Sequence, residues 1–510
     1  MRRLRVPPGI TIILGAVALV AVLGGAGLLI GGTAGRLVVA ALTPSPAPSP
    51  SPTGEPTSAP PTASPEEAET DPIASIPNHL PAQLPDRVDL YAGAPSISAG
   101  QPLKLHVSTA APTYTYRIER LDVSATGGRQ VVMRSAIRPG HDYRSLATFV
   151  MPERTARANW PVTDTVATDD WVPGVYIVTA VDASKTVGHA IFVVRTPVLA
   201  NDRPAFVFAA FTYQAYNLWG GANFYDYAAP RAVRVSFERP YALDAGTGDW
   251  LRGDDRILAW LQRQGLDLQY TTDYDLAIDP PAIAPGLLIL PRHPEYVTGS
   301  LRDWVEEHVD HTGDMNVLGL GANGYYWQVR LAGPRVPGGP MDIVCYKKAT
   351  DDPLAASEPT RSTTRWRDAP LNRPEGLVFG AQYVGKIGDG HLSADYTVMA
   401  SMPPELLAGT GWVPGTVIHG LLKGEGDLVY PGSGGIAIMV GNTVNGAGAP
   451  LSLSVTIRTS PAGARIFDAG TLGWAAGFDP PLLTDLGVSA ASLDQFERNV
   501  LAWLGFAPGP

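Results

Sequence analysis

The residues best suited to chemistry follow two short apolar runs. His293 and Glu295, separated by one proline, come directly after the run 287–290, and several tyrosines follow the run 205–210. Side chains two apart at the end of a strand can face one cavity. Carboxylate and phenolate oxygens suit a hard metal ion such as Fe(III). The spacing therefore raises a metal site as one hypothesis, with aromatic packing and a helix-capping carboxylate as the alternative.

A third segment has the shape of a nucleophile elbow but lacks the nucleophile. GANGYYW at 321–327 follows a predicted strand, and its central residue is Asn323, whose amide cannot attack a carbonyl. The single cysteine, Cys345, lies in a strand-like run and is interpreted as a small buried hydrophobe. The sequence therefore excludes a cysteine-dependent glutamine amidotransferase, and it contains no Gly-x-Ser-x-Gly motif of a serine hydrolase.

The elements that must position these residues follow an alternating pattern. Short apolar runs at 205–210, 287–290 and 316–320 alternate with amphipathic stretches such as 254–264, and the chain closes with a helical pattern at 492–504. Buried strands that alternate with helices predict a doubly wound parallel sheet over 203–508. The Gly-rich part from 341 to about 459 is expected to add β-structure and loops. Sites in such folds lie at the carboxyl ends of the strands.

The region 80–200 has a different pattern. Apolar and polar residues alternate in short runs between Gly, Pro, Asp and Asn turns, which predicts an all-β sandwich of the immunoglobulin-like kind. Tyr176 begins one of these strands, and on its own it is interpreted as a sandwich tyrosine rather than a ligand.

The N-terminus predicts a membrane anchor and a spacer. Three arginines precede an uncharged apolar stretch, so residues 1–43 are expected to form a cytoplasmic tip and a transmembrane signal anchor, although Ala40 and Ala41 leave cleavage open. The Pro-, Ser- and Thr-rich stretch 44–79 is expected to be a disordered linker. The folded head would then lie outside the cytoplasm on a single-pass membrane protein. The net charge of −10 argues against a nucleic-acid partner.

The order of several segments resembles the large (beta) subunit of N,N-dimethylformamidase. The resemblance covers about 86–508, and QAYN-x-WGG followed by HPEY and NGYYW is its most specific part. It implies an amidotransferase-like C-terminal domain behind the β-sandwich. The segments that carry it are YAGAPSISAGQPLKLHVS (91–108), DWVPGVYIV (170–178), TYQAYNLWGGANFYDY (212–227), HPEY (293–296), GANGYYW (321–327) and ARIFDAGTLGW (464–474).

The resemblance implies a site and a reaction. Members of that family hold a mononuclear iron, Fe(III), by two tyrosines and a glutamate and use it as a Lewis acid in amide hydrolysis. Matched motif by motif, the metal ligands would be Tyr176, Tyr216 and Glu295. The implied catalytic residues are Glu425, His293 and Asn323, and the implied pocket residues are Phe467, Trp219 and Tyr326.

The chain also departs from the family pattern. Val297 stands where the family usually has a tryptophan after HPEY. The family enzyme is soluble and assembles with a small subunit, whereas a membrane anchor is expected for this chain. We therefore expect an iron-dependent hydrolase of C–N bonds that acts on a small amide or a cell-surface substrate. The enzyme is expected to form a homo-oligomer or to assemble with a small partner subunit.

Two other interpretations stay open at this point. A non-catalytic surface module could bind glycans or proteins through exposed aromatic side chains, and a structural scaffold would need no small-molecule site at all. Convergence of the two tyrosines and the glutamate on one point would favour the enzyme. The aromatic residues of the surface module would be Trp219, Tyr225, Tyr326 and Trp327.

Overall fold

The computed structural model describes residues 84–226, 230–333, 342–388, 392–479 and 486–507, together with the backbone of 77–78. The predicted membrane span (1–43) and almost all of the predicted linker (44–79) lie outside the described residues, so both stay predictions. No helix in the described part of the chain is long and apolar enough to cross a membrane. The described residues all belong to one compact unit.

The first part of this unit is built from short strands. Strands β5, β11 and β12 pair antiparallel in one sheet, and β2, β4 and β10 form a second sheet. Leu90, Leu105, Ile118 and Phe192 form a buried core between the two sheets. The strands are β1 Pro77–Asn78, β2 Asp89–Ala92, β3 Ser96–Ser98, β4 Leu103–Ser108, β5 Thr113–Leu121, β6 Arg129–Arg134, β7 Arg138–Pro139, β8 Thr148–Val150, β9 Thr155–Arg157, β10 Asp164–Val166, β11 Gly174–Asp182 and β12 Val187–Arg195.

The second part mixes strands and helices. Its strands are β13 Pro204–Phe208, β14 Arg234–Ser236, β15 Gln269–Thr272, β16 Leu287–Leu290, β17 Tyr296–Thr298, β18 Asn316–Gly319, β19 Trp327–Ala332, β20 Asp342–Val344, β21 Ala381–Lys386, β22 Ser393–Val398, β23 Val417–Lys423, β24 Glu425–Val429, β25 Ile436–Val444, β26 Pro450–Thr459 and β27 Arg465–Asp468. Its α-helices are α1 Ala210–Tyr216, α2 Asp254–Arg263, α3 Asp273–Ile278, α4 Gly299–Glu306, α5 Gly376–Phe379, α6 Pro404–Leu407 and α7 Ala490–Trp503.

A nine-stranded mixed sheet organises this second part. Five strands run parallel in the order β15, β13, β16, β18, β27, and four antiparallel strands, β26, β25, β22 and β23, extend the sheet. Because the chain moves outward in opposite directions from β13 and β16, the two strands form a topological switch point. The segments that leave β13, β16 and β18 therefore meet at one edge of the sheet.

Local signals in the sequence set the helix boundaries. Thr272, Thr298 and Ser489 each accept a hydrogen bond from a backbone N–H in the first turn of α3, α4 and α7. The predicted closing helix at 492–504 is observed at 490–503. The coarse fold class, α/β together with a β-rich part, is confirmed. The predicted domain boundaries at 80–200 and 203–508 stay predictions.

Helix α7 buries an acidic side chain against the parallel sheet. The indole Nε1 of Trp474 donates a hydrogen bond of 2.5 Å to Oε1 of Glu497. Burial raises the pKa of Glu497 to about 8. The folded state therefore binds a proton that the unfolded chain releases above its ordinary pKa near 4.5. This stabilisation is complete below pH 4.5 and is lost as the pH rises through about 8.

We predict that Glu497→Gln removes this part of the pH dependence, since an amide cannot ionise and its oxygen still accepts from Trp474. At pH 9 the variant should be more stable than the unmodified protein by about 3–5 kcal/mol. Near pH 5 the difference should shrink below about 1 kcal/mol. Urea unfolding across this pH range measures both values. A difference that does not change with pH would contradict a proton on Glu497.

Candidate functional site

A buried glutamate lies at the centre of the polar cluster beyond the switch point. Glu295 follows β16, and both of its carboxylate oxygens accept a hydrogen bond of 2.9 Å from the hydroxyl of Tyr225. The indole Nε1 of Trp327 donates to Oε1 at 3.1 Å. A carboxylate this deeply buried needs such partners, because its desolvation costs several kcal/mol.

Three phenol oxygens gather around that carboxylate. The hydroxyl of Tyr225 lies 2.8 Å from the hydroxyl of Tyr216 and 2.8 Å from that of Tyr296. The rings of Tyr216 and Tyr225 stack with their centroids 4.5 Å apart. Three phenols and Glu295 thus form a single oxygen-rich cluster, which we call the tyrosine–glutamate cluster.

A lysine covers the outer side of this cluster. The Nζ of Lys347 lies 3.5 Å from the ring centroid of Tyr225, 4.6 Å from that of Trp327 and 5.6 Å from that of Tyr296. The backbone of Lys347 is in the left-handed region, with φ of 63°. This cation–π geometry places positive charge beside Glu295 although no hydrogen bond joins the two side chains.

A second group of polar side chains lies next to the cluster. The Nε2 of His293 is 3.5 Å from Oε2 of Glu295 and 3.2 Å from Oε2 of Glu425. The Nδ2 of Asn323 donates a hydrogen bond of 2.8 Å to the same Glu425 oxygen. His293 Nε2 has no aligned hydrogen-bond partner, although it is buried. A buried ring nitrogen in this position is suited to contact a substrate or an ion.

Two side chains fix the segments that carry these groups. Thr212 Oγ1 in α1 accepts from the backbone N–H groups of Glu295, at 3.0 Å, and Tyr296, at 3.3 Å. Asn223 donates to the Tyr216 carbonyl and accepts from the Tyr225 N–H, both at 2.9 Å. Thr212 therefore bonds the segment after β13 to the segment after β16, and Asn223 fixes Tyr216 and Tyr225 relative to each other within the segment after β13.

The turn after β18 is held in a strained form. Asn323 has φ of 58°, and its backbone N–H donates to both oxygens of Asp427 at 3.0 Å. A Cβ on Gly321 would lie 1.6 Å from the carbonyl oxygen of Arg292, so only glycine fits there. This turn presents the Asn323 amide to Glu425.

Burial and neighbouring charges shift the pKa values of the titratable groups in two ways: those of the tyrosines favour the neutral form, and those of His293 and Glu425 favour the charged form. Burial and the neighbouring Glu295 raise the pKa of Tyr216 and Tyr225 well above its usual range. Burial also opposes ionisation of Glu425, but His293 and Asn323 outweigh it and hold the pKa of Glu425 below its ordinary value. Burial disfavours a charged His293, and the two glutamates outweigh it and raise its pKa. Both shifts favour the charged forms of His293 and Glu425, whose Nε2 and Oε2 atoms lie 3.2 Å apart.

The donor set of the tyrosine–glutamate cluster fits a hard trivalent ion. In the described part of the chain, no group of three or more His, Cys, Asp and Glu side chains is arranged to hold a metal. Phenol oxygens would therefore have to supply ligands at this place. Tyr216, Tyr225 and Glu295 offer three oxygens in mutual contact, and such oxygens favour ions of the Fe(III) type.

The structure brings together five of the residues singled out in the sequence: Tyr216, Glu295, His293, Asn323 and Glu425. It places Tyr176 elsewhere. The Tyr176 hydroxyl donates to the Val172 carbonyl at 2.7 Å, and its ring stacks on Trp171 within the sandwich core. Tyr176 is thus a sandwich tyrosine. The resemblance implied Tyr176 as the partner of Tyr216, but the tyrosine that lies beside Tyr216 in the structure is Tyr225.

Two of the three implied pocket residues, Trp219 and Phe467, also lie in other surroundings. Trp219 is buried, donates to Asp89 Oδ2 at 2.9 Å and packs edge-on against Trp160. Phe467 on β27 is fully buried against Trp474 in the core of the α/β part. The reason in both cases is packing, because large aromatic side chains fill cores. Burial of Trp219 also removes one of the four aromatic side chains expected on a glycan-binding surface.

Tyr326 lies at the border of the site. Its ring contacts Trp327 and Tyr383 edge-on, with centroids 5.0 Å and 5.3 Å away. The guanidinium of Arg367 lies 5.1 Å from its centroid. Tyr326 thus supports Trp327, which bonds Glu295 directly.

Sequence reasoning missed several residues of this site. Tyr296 stands next to Glu295 in HPEY and could have been found from that position alone. Asp427 lies two residues after Glu425 and shares its strand. No sequence pattern marks Lys347, because the segment after β20 brings it to aromatic rings that are distant in the sequence. Tyr225 was expected as an exposed aromatic residue of the surface module and not as part of the tyrosine–glutamate cluster.

Comparison with known protein families assigns the chain to a family. A family model described as N,N-dimethylformamidase beta subunit-like, C-terminal, matches residues 115–486, which is more than half of the chain. The comparison with curated proteins found no match. Among solved structures, a cycloisomaltooligosaccharide glucanotransferase from Paenibacillus sp., in complex with cycloisomaltoheptaose, matches with 11% identity and a TM-score of 0.16. The match covers 51% of this chain and 33% of that one, and it carries no argument about fold or function.

We predict that Lys347→Met destabilises the protein, since methionine keeps the contact with the rings but removes the charge that faces Glu295. The expected loss in the free energy of unfolding is about 1–2 kcal/mol. Lys348→Met, at the exposed neighbouring position, is the matched control and should change stability by less than about 0.5 kcal/mol. Urea unfolding compares the two variants. Equal unfolding midpoints would show that the cation–π contacts of Lys347 do not stabilise the fold.

Proposed function

Because the chain belongs to the N,N-dimethylformamidase beta subunit-like C-terminal family, we propose that it is an iron-dependent amide hydrolase. The observation that supports this most is the meeting of Tyr216, Tyr225 and Glu295 directly beside the His293–Glu425 pair. A binding module has no need to place an ionised acceptor next to a buried set of phenol oxygens.

Tyr216, Tyr225 and Glu295 would hold the ion in this proposal. The ligand set keeps the two tyrosines and one glutamate that the resemblance implied, with Tyr225 in place of Tyr176. When bound, iron(III) supplies Lewis-acid activation of the amide carbonyl. Lys347 packs against the Tyr225 ring, with its Nζ 3.5 Å from the ring centroid, and keeps that ring in place.

Glu425 is the general base. Asn323 bonds its Oε2, and Oε1 has no hydrogen-bond partner in the described part of the chain, so this second oxygen is free to accept a proton. As the water oxygen bonds to the amide carbon, Glu425 takes the water proton. The C–N bond then breaks and the proton moves to the leaving nitrogen. His293, whose Nε2 lies 3.2 Å from Oε2 of Glu425, favours the ionised form of Glu425 before the water attacks and orients its carboxyl group through both steps.

The setting of the reaction is part of the proposal. The head acts outside the cytoplasm, tethered by an N-terminal span, and the support for this is the uncharged stretch 6–35 after Arg2, Arg3 and Arg5. Its substrate is an amide, either a small molecule or a component of the cell surface. A small partner subunit or self-association remains part of the proposal through the family.

We predict that Tyr216→Phe and Tyr225→Phe each abolish iron binding and the visible tyrosinate-to-iron absorption, since each removes one ligand oxygen and keeps the ring. Tyr176→Phe is the matched control. It should keep full iron content and lose only about 1 kcal/mol of stability through the bond to Val172. Elemental analysis and absorption spectra of the full chain measure the outcome. Loss of iron in Tyr176→Phe with retention in Tyr225→Phe would restore the ligand set implied by the resemblance.

A separate prediction concerns the base. Glu425→Gln should lower kcat for amide hydrolysis by about 10²–10⁴-fold while iron content stays the same, because glutamine keeps the bond to Asn323 but cannot accept a proton. Glu405→Gln, on the exposed face of α6, is the control and should keep full activity. If Glu425→Gln retains its activity, another group must be the base.

A further inference from the structure

A large cavity opens from the His293–Glu425 end of the site. Its volume is about 1070 Å³, and Tyr216, His293 and Glu425 form part of its wall. Cavities for drug-sized ligands are roughly 300–1,000 Å³, so this one exceeds the needs of an amide with a few heavy atoms. The cavity must therefore accommodate a larger molecule or serve a second purpose.

The charge of the cavity wall is opposite to that of the chain. The wall carries more cationic than anionic side chains, although the net charge of the protein is −10. A low-dielectric cleft lined by one sign of charge raises the local concentration of ligands of the other sign. The cationic residues are Arg252, Arg256, Arg292, Lys386 and Lys423, and the anionic residues are Asp249, Asp395 and Glu425.

The arginines of this wall are already paired. Asp249 contacts Arg292 at 2.5 Å and Arg252 at 3.3 Å. Asp479 contacts Arg256 at 3.3 Å. These ion pairs neutralise most of the arginine charge at this side of the cavity.

The two lysines have no such partner. Both Lys386 and Lys423 are exposed, and neither lies within 4.0 Å of an acidic oxygen in the described part of the chain. Lys386 is directly opposite Glu425 in the pairing of β21 with β24, and Lys423 precedes Glu425 by two residues. The left-handed Gly424, with φ of 78°, makes the turn between Lys423 and Glu425. The two unpaired cations therefore flank the proposed base at the open side of the cavity.

We propose that the substrate is an amide that carries a carboxylate, which Lys386 and Lys423 bind while the amide group reaches Glu425. This inference rests on the proposed function and adds the substrate class. The cavity has the volume for the second functional group, and its wall supplies two lysines that form no ion pair within 4.0 Å in the part of the chain that the structure describes.

The test uses three acetanilides that share one scissile amide and differ only in the para group: carboxylate, methyl or trimethylammonium. For the full chain loaded with iron, kcat/KM should decrease in that order. The ratio of kcat/KM for the carboxylate over the methyl compound should fall about tenfold in the double variant Lys386→Gln/Lys423→Gln. It should also fall as NaCl is raised from about 50 to 300 mM.

The control is Lys104→Gln on β4, an exposed lysine outside the cavity wall, which should keep the unmodified ratio. A ratio near one in the unmodified protein would overturn the inference. So would a ratio that the double lysine variant leaves unchanged.

A binding measurement separates this inference from the proposed function. Ligand-observed NMR with 4-acetamidobenzoate should show binding that weakens about tenfold in the double lysine variant and not in Lys104→Gln. If no anilide is hydrolysed but this lysine-dependent binding is seen, the hydrolase proposal fails and the carboxylate site stands. If the anilides are hydrolysed without lysine-dependent binding or preference, the hydrolase proposal stands and the carboxylate site is refuted.

Discussion

The buried carboxylate of Glu295 is the constraint on which the rest of the site depends. A single ionised carboxylate inside a protein costs several kcal/mol unless hydrogen bonds and positive charge compensate it. Tyr225 and Trp327 supply the bonds, and Lys347 supplies charge through the aromatic rings that lie between. The tyrosines, the indole and the lysine belong to different loops, so satisfying Glu295 brings these loops together. The same requirement makes the cluster attractive to a trivalent ion, which compensates negative charge better than an ammonium group does.

The parallel sheet brings together the groups that compensate the charge of Glu295. Because β13 and β16 are neighbours and the chain order reverses between them, the segments that follow their carboxyl ends meet at one crevice. Thr212 then connects the two segments by accepting from the Glu295 N–H, and Asn223 donates to the Tyr216 carbonyl, so hydrogen bonds to the backbone fix the positions of both Tyr216 and Glu295. Asp427 fixes the third loop through Asn323. The antiparallel extension of the sheet has a separate role, since it brings Glu425 and its two lysines to the crevice from the other direction.

Much of this could be predicted from the sequence, and the misses have a common cause. The apolar runs at 205–210 and 287–290 indicated buried strands, and the polar residues after them do meet. His293, Glu295 and Asn323 were singled out from motifs at the ends of predicted strands, whereas the roles of Tyr216 and Glu425 came from the resemblance. Tyr176 and Phe467 were assigned to the site from resemblance alone, and Trp219 was expected either in the pocket or on the surface of a binding module. Each of the three has a packing role in the structure. Lys347 could not have been predicted, because its contacts with three aromatic rings join segments about 20 to 120 residues apart and no local pattern records them.

The site divides into an inner part and an outer part with opposite physical properties. The inner tyrosine–glutamate cluster is buried and rich in oxygen, so charges there interact strongly and solvent screens them little. The outer cavity is open and cationic, and salt would weaken its interactions. Glu425 lies at the boundary, since His293 and Asn323 hold it from the inner side and Lys386 and Lys423 flank it from the outer side. In the proposed reaction, Oε1 of Glu425 would exchange protons with solvent between turnovers, while Oε2 stays fixed by its hydrogen bond to Asn323. The boundary therefore explains why a single carboxylate can be both rigidly held and accessible, which a fully buried base could not be.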